Sequence, residues 1–429
     1  MFSNAPAAER PRRCFGSVES AVAAKSTSLR TTAVTTRALS VVALTTAALA
    51  LFIACTSRAD NAHSQGDPGC PSLPRFDRAV RLEQTAETSA NVSFGDLTGS
   101  GNLDLVLAKG RHWPLISRVL INDGHGGFPT AHNLSGTPYR SFSAVLADVN
   151  GDGFLDVVLG NDFPDPKVIY LNDGKGNFTL GSSFGKPGWP TRNVAVADLN
   201  RDGWPDIIVA NRYPQGTGSN YVCLNHGQGR FDADCIAFSH EPATTITPAD
   251  FNGDGFMDLV VPNRDGGQSY VYLNDHTAHF PKRIPFGSPN VTIRMAVVAD
   301  LTGSGRPDIV TIDERHGTFI YYNQPDGTFS RPAPLGTVKV SPYALAVGDL
   351  NRDGHTDIVV GYVNAPSIVY FNTGQGRSFT PVPFGDNRGT AYGIAIGDLD
   401  KDGWPDIAVA RSDAPNVAYF SSGAVQCRK

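Results

Sequence analysis

The chain has 429 residues, of which 45 are glycine and 30 proline, while only 18% are charged. Glycine and proline together make up about 17% of it, above the roughly 12% of average usage, which excludes a helical bundle and favours many short strands joined by turns. Hydrophobic content of 41% excludes a disordered chain, and a formal charge of −5 with no Lys/Arg run beyond the N-terminus argues against nucleic-acid binding.

The first element in chain order is a targeting segment. Residues 1–37 carry Arg10, Arg12, Arg13, Lys25, Arg30 and Arg37 against Glu9 and Glu19, and 17 uncharged, mostly apolar residues follow from Ala38 to Ala54. This is the order of an export signal, so residues 1–59 read as signal and N-terminal tail, and 60–74 as a linker. Three readings of its end stand side by side. Phe52-Ile53-Ala54-Cys55 resembles a bacterial lipobox, with Cys55 as the lipidation candidate and phenylalanine in place of the usual leucine. Ser57 and Ala59 suit ordinary cleavage after Ala59, and the apolar stretch is at the lower edge of what spans a bilayer, which admits an uncleaved anchor. Each places the chain outside the cytoplasm, whether extracellular, at the cell surface or periplasmic. Without residues 1–54 the chain has 30 basic and 39 acidic residues, a charge of −9.

Beyond residue 75 one unit recurs. DVNGDGFLD at Asp148 returns as DLNRDGWPD at Asp198, DFNGDGFMD at Asp250, DLNRDGHTD at Asp349 and DLDKDGWPD at Asp398, with looser copies DLTGSGNLD at Asp96 and DLTGSGRPD at Asp300. The seven starts are 49 to 52 residues apart. Each unit repeats an alternating run, the acidic loop, an apolar run, a polar loop, a third run and a turn leading to a fourth extended piece that ends in Phe-Gly, as at Phe184, Phe286 and Phe384. Four strands per unit and seven units predict an all-β, seven-bladed β-propeller over residues 75–429. The last unit stops about 19 residues short, whereas RFDRAVRL (75–82) looks like the fourth-strand piece RFDADCIA (230–237). The N-terminal strand is therefore expected to complete the last blade. Cys70 and Cys427 flank that junction and Cys223 and Cys235 flank an outer turn; in an exported chain two bridges are favoured, among three connectivities that sequence alone permits.

The acidic loops predict calcium. Calcium takes six to eight oxygen ligands, which a loop supplies if it curls tightly and presents carboxylates at alternate positions. Here positions 1, 3, 5 and 9 are Asp148, Asn150, Asp152 and Asp156; Asp198, Asn200, Asp202 and Asp206; Asp250, Asn252, Asp254 and Asp258; Asp349, Asn351, Asp353 and Asp357; and Asp398, Asp400, Asp402 and Asp406. Position 6 is glycine in every copy, and the carbonyl of position 7 is free to coordinate. The rival, an EF-hand, needs an acidic residue at position 12, where these copies carry Leu159, Val209, Val261, Val360 and Val409. The copies with Asp96 and Asp104 and with Asp300 and Asp308 replace central carboxylates by Thr98, Ser100, Thr302 and Ser304, making them weak sites or turns that only keep the shape.

With its DxNxDGxxD loops, Phe-Gly pieces and period of about 50, the chain resembles the FG-GAP/VCBS repeats of the integrin α-subunit propeller, bacterial surface proteins and some fungal calcium-dependent lectins. The resemblance implies a seven-bladed propeller with calcium between the first and second strands of a blade. It implies no single activity.

No metalloprotease, Walker or dinucleotide motif is present, and Gly181-Ser182-Ser183-Phe184-Gly185 lacks the strand-turn-helix setting of a nucleophile elbow. An extracellular or cell-surface binding module for carbohydrate or protein is the leading reading; the propeller of a polysaccharide-acting enzyme and a structural surface component are the others. Its ligand face is expected opposite the calcium loops, with Trp113, Arg140 and Trp189 in loops there. Six residues before each acidic loop, near the mouth of the central channel, come Phe142, Arg192, Thr244, Arg294, Tyr343 and Tyr392. Aromatic rings beside arginine suit sugars or a protein hot spot.

Overall fold

The computed structural model describes residues 73–423 except 215, 232, 233 and 338. They form seven four-stranded antiparallel sheets. Blade 2 is representative: Ser141–Ala147, Asp156–Asn161, Lys167–Asn172 and Phe178–Phe184 pair in chain order. The first strands of the blades are neighbours around a closed ring and line the central channel. Hydroxyls join them: Ser93 donates to the Ala144 carbonyl at 2.6 Å, and Thr247 to that of Ala296 at 2.8 Å.

The last blade closes as expected. Thr390–Gly397, Asp406–Ser412 and Val417–Phe420 are completed by the N-terminal strand Arg78–Arg81, with Arg78 opposite Phe420 and Arg81 opposite Val417. Cys70, Cys427 and Cys55 lie outside the described residues, as does the export segment. Cys223 and Cys235 are bonded, their Cα atoms 4.4 Å apart across the outer hairpin of blade 3.

Seven hydrophobic clusters fill the seven interfaces between consecutive blades. This explains why second strands such as Asp156–Asn161 are buried along their whole length and read as continuous apolar runs. One face meets the preceding blade, through Val157 and Leu159, and the other meets the next, through Val158. A strand buried on both faces loses the alternation of a half-exposed one.

Candidate functional site

The seven acidic loops share one hydrogen-bonded frame. The carboxylate at position 1 accepts the amide of the glycine at position 6 in each, as from Gly153 to Asp148 at 2.9 Å and from Gly403 to Asp398 at 2.9 Å. Those glycines have φ from +75° to +90°, a conformation that a Cβ disfavours. Position 4 sits nearer +57° to +59° where it is Arg201, Arg352 or Lys401 and so accepts side chains. At position 5, Asp152, Asp202, Asp254, Asp353 and Asp402 accept the amide two residues on. The amide groups of Asn150, Asn200, Asn252 and Asn351 donate to that same aspartate at 2.8–2.9 Å. In the looser loops hydroxyls take over part of this, with Thr98 and Ser100 3.0 Å apart, while Asp96 and Asp300 keep the turn.

Position 9 has a structural role besides the one its spacing suggests. Asp156 accepts the Val149 amide with one oxygen and the Asn172 amide with the other, and Asn172 Nδ2 donates to the Leu97 carbonyl of the preceding blade at 3.0 Å. Asp206 with Asn225, Asp258 with Asn274, Asp357 with Asn372 and Asp104 with Asn122 repeat this clasp across their blade joints. The signal was legible as an asparagine ending each third run, Asn122 to Asn372. Burial first, then the neighbouring aspartates, pushes Asp156, Asp206 and Asp258 up to about 6, and Asp357 and Asp406 up to about 7. Burial also raises Asp104 and Asp308.

In blade 7, one oxygen each of Asp398, Asp400 and Asp406 lies within 4.8 Å of the others. Asp398 Oδ1 and Asp400 Oδ1 are buried without a hydrogen-bond partner. Two orphaned acceptors within a three-aspartate cluster fit a hard, oxygen-seeking cation. Asp400 Oδ2 also accepts Arg78 Nη1 at 2.7 Å, linking this loop to the closing strand.

At the other end of the channel, Phe142, Arg192, Thr244, Arg294, Tyr343 and Tyr392 all line one cavity of about 290 Å³. Register explains why. The first strands carry a bulge that spans Ser141/Ser143, Thr191/Asn193, Ile293/Met295, Pro342/Ala344 and Ala391/Gly393. The skipped residue is Phe142, Arg192, Arg294, Tyr343 or Tyr392, and a bulge re-aims the side chain it frees. In blade 1 the same position is Ala90, which leaves room for Arg111 and His112 from the end of the second strand; Arg212 and Arg264 arrive similarly from blades 3 and 4.

The arginines are held in place. Arg192 pairs with Asp162, Arg212 with Asp265, and Arg264 and Arg294 share Glu314 at 2.8 Å each. Burial lowers Arg294 from its ordinary range, with Tyr343 and Glu314 opposing that shift. Burial and the charges of Arg111 and Arg192 push His112 down. Burial pushes Tyr392 up to about 12. Arg111 and Glu314 were missed from sequence, although Glu314 stands six residues after its position-9 aspartate, as Asp162, Arg212 and Arg264 do.

Three expected ligand-face residues do not line the cavity. Trp113 is 69% exposed but outside the cavity. Arg140 is tied to Asp165 at 3.0 Å. Trp189 is a correction: it is buried between blades 2 and 3, stacked on Tyr221 at 4.0 Å, rather than presented on the ligand face. A Cβ on Gly185 would stand 2.2 Å from its ring, so the Phe-Gly glycine lets the tryptophan lie on the backbone.

A family model described as FG-GAP-like repeat matches six overlapping stretches, 96–159, 148–209, 203–261, 250–311, 300–360 and 349–409. No curated protein matches. Among solved structures, the BP39L lectin from Burkholderia pseudomallei matches with TM-score 0.61 at 14% identity, over 80% of this chain and 100% of that one. BBS1N, in complex with ARL6DN, matches with TM-score 0.56 at 13% identity, over 83% and 100%. At these identities the likeness concerns the fold.

Proposed function

We propose, from the premise that the chain belongs to the FG-GAP-like repeat family, that it is an exported, calcium-binding propeller that acts as a binding module for carbohydrate or protein. The observation that carries this is the cavity at the channel mouth, where side chains from at least six blades converge opposite the acidic loops. Rings, guanidiniums and hydroxyls on a rigid closed ring are a recognition surface. The similar propellers include one that is a lectin and one in complex with a protein, which supports both ligand classes.

Calcium in this reading is held by the carboxylates and amide oxygens at positions 1, 3, 5 and 9 with the carbonyl at position 7, and the all-oxygen donor set suits it over softer metals. It would neutralise clustered carboxylates and fix the loops; the ligand cavity at the other end takes no part in that. Export rests on the basic and apolar segments before Cys55, and Cys55→Ser should release the protein from membranes if that cysteine carries a lipid.

The test is a glycan and protein array probed with the full chain in calcium and in EDTA. Capture expected in calcium should weaken in Tyr343→Ala/Tyr392→Ala by roughly tenfold or more, since buried aromatic anchors typically carry about 2 kcal/mol. An array that captures nothing, or captures the variant equally, overturns the reading.

A further inference from the structure

Arg192, Phe142, Arg111, Tyr392, Arg294 and Tyr343 form an alternating arc of guanidiniums and rings around the channel mouth. Arg192 and Arg111 both stack on Phe142, at 4.5 and 5.6 Å from its centroid. Arg111 and Arg294 both stack on Tyr392, at 3.7 and 5.7 Å, and Arg294 lies 3.5 Å from the centre of Tyr343. Guanidiniums thus already lie over these rings, which places hydrogen-bond donors beside the aromatic groups offered to a ligand.

The charges do not balance. Five arginines line the cavity, Arg111, Arg192, Arg212, Arg264 and Arg294. Their carboxylate partners are three, Asp162, Asp265 and Glu314. Among the described residues Arg111 has no carboxylate partner, and its Nε and that of Arg264 are buried without an acceptor. Five stacked or paired cations kept close together in a partly desolvated mouth repel one another, and each orphaned N–H costs free energy until something accepts from it. The exported part carries a charge of −9, so this positive mouth is a local feature against the global field. A concave site of one sign focuses ligands of the other.

We infer that the channel mouth is an anion-binding site for a compact oxyanion, a carboxylate or sulfate group carried on a sugar, with Arg111 and Arg264 supplying the donors that have no partner within the chain. This rests on the binding-module reading and narrows it to acidic ligands. A volume of about 290 Å³, at the bottom of the usual range for small-molecule pockets, admits one charged residue of a chain rather than a folded surface. Guanidinium favours such groups because its fork matches two oxygens at once.

The experiment follows the arginine Nε–Hε signals of the isotopically labelled full chain in calcium at matched ionic strength. The probes are glucuronate, sodium sulfate, sodium chloride and neutral methyl glucoside. Glucuronate should shift the Arg111 and Arg264 signals to saturation, and methyl glucoside should not. Arg111→Gln should weaken glucuronate at least tenfold; Arg111→Lys, which keeps the charge and packing volume, should restore part of the affinity and controls for misfolding. Stronger binding of glucuronate than of sulfate assigns the site to an acidic sugar, and equal binding to the free oxyanion. Drift no greater than with chloride, a response to methyl glucoside equal to that for glucuronate, or unchanged binding by Arg111→Gln overturns the inference. Arrays separate the two readings: neutral ligands captured equally by parent and Arg111→Gln keep the binding module and remove the anion site, whereas saturable glucuronate with an empty array does the reverse.

Discussion

Asp357 carries two duties on one carboxyl group. Its oxygens accept the Leu350 and Asn372 amides at 2.8 Å each, while burial and then Asp353 and Asp349 push it up to about 7. Asp357→Ala strands two buried amides at about 1–3 kcal/mol each, so the urea midpoint should fall by a matching amount with the slope unchanged. The same group fixes a pH dependence. Its folded pKa lies above the unfolded value, so without metal the native state holds more protons between about pH 4 and 7. That contribution to stability is fully present below about 4 and is lost as pH rises through about 6 to 7 for Asp156, Asp206, Asp258, Asp357 and Asp406. A cation bound there would replace those protons, so the gap between melting temperatures in calcium and in EDTA should widen from pH 5 to pH 7.5. A gap that narrows would mean these carboxylates do not hold the metal. At this scale the sequence was legible where a backbone demanded one residue, as at the position-6 glycines. It misled at Trp189, because a loop tryptophan looks exposed until Gly185 is known to leave the hollow it fills.

Elements were legible because each strand's surroundings repeat. Turn glycines and the acidic loop recur with every blade and the Phe-Gly ending with blades 2, 4 and 6, and a short apolar run between such signals has one place to go. The closing strand was readable from a deficit in the last unit and a matching surplus at residue 75. Its energetic weight shows only in the packing. Phe76 is buried against Phe384, with centroids 5.6 Å apart, in the cluster joining blades 6 and 7, and Leu82 enters the cluster joining blades 7 and 1. Phe76→Ala should cost about 3–5 kcal/mol, read as a lower unfolding midpoint. Deleting residues 70–83 should abolish cooperative melting, because the outer edge of Val417–Phe420 is then unpaired. A truncated chain that melts like the parent would show that closure does not depend on this strand. The Cys223–Cys235 bond closes a short outer loop, so the double serine variant should lose only about 2–3 kcal/mol and stay folded.

Across the whole molecule, the clasps couple what sequence shows as separate loops. Asp206 is bonded to Asn225, and Asn225 Nδ2 donates to the Val149 carbonyl of the loop in blade 2 at 2.9 Å. Ordering the blade 3 loop therefore stiffens the joint with blade 2, and in a closed ring no joint opens without straining the others. Calcium bound to the native state alone adds RT ln(1 + [Ca]/Kd), about 2.7 kcal/mol per site at a hundredfold excess over Kd. Chelation should accordingly lower the melting temperature through one cooperative transition, rather than release blades in sequence. Asp202→Ala removes the position-5 carboxylate of one loop, which otherwise accepts the Trp204 amide at 2.9 Å. It should lose about one such increment in millimolar calcium and much less in EDTA, since exposed loop groups find water instead. If parent and Asp202→Ala lose the same melting temperature on chelation, the blade 3 loop holds no calcium, and its carboxylates serve the turn alone.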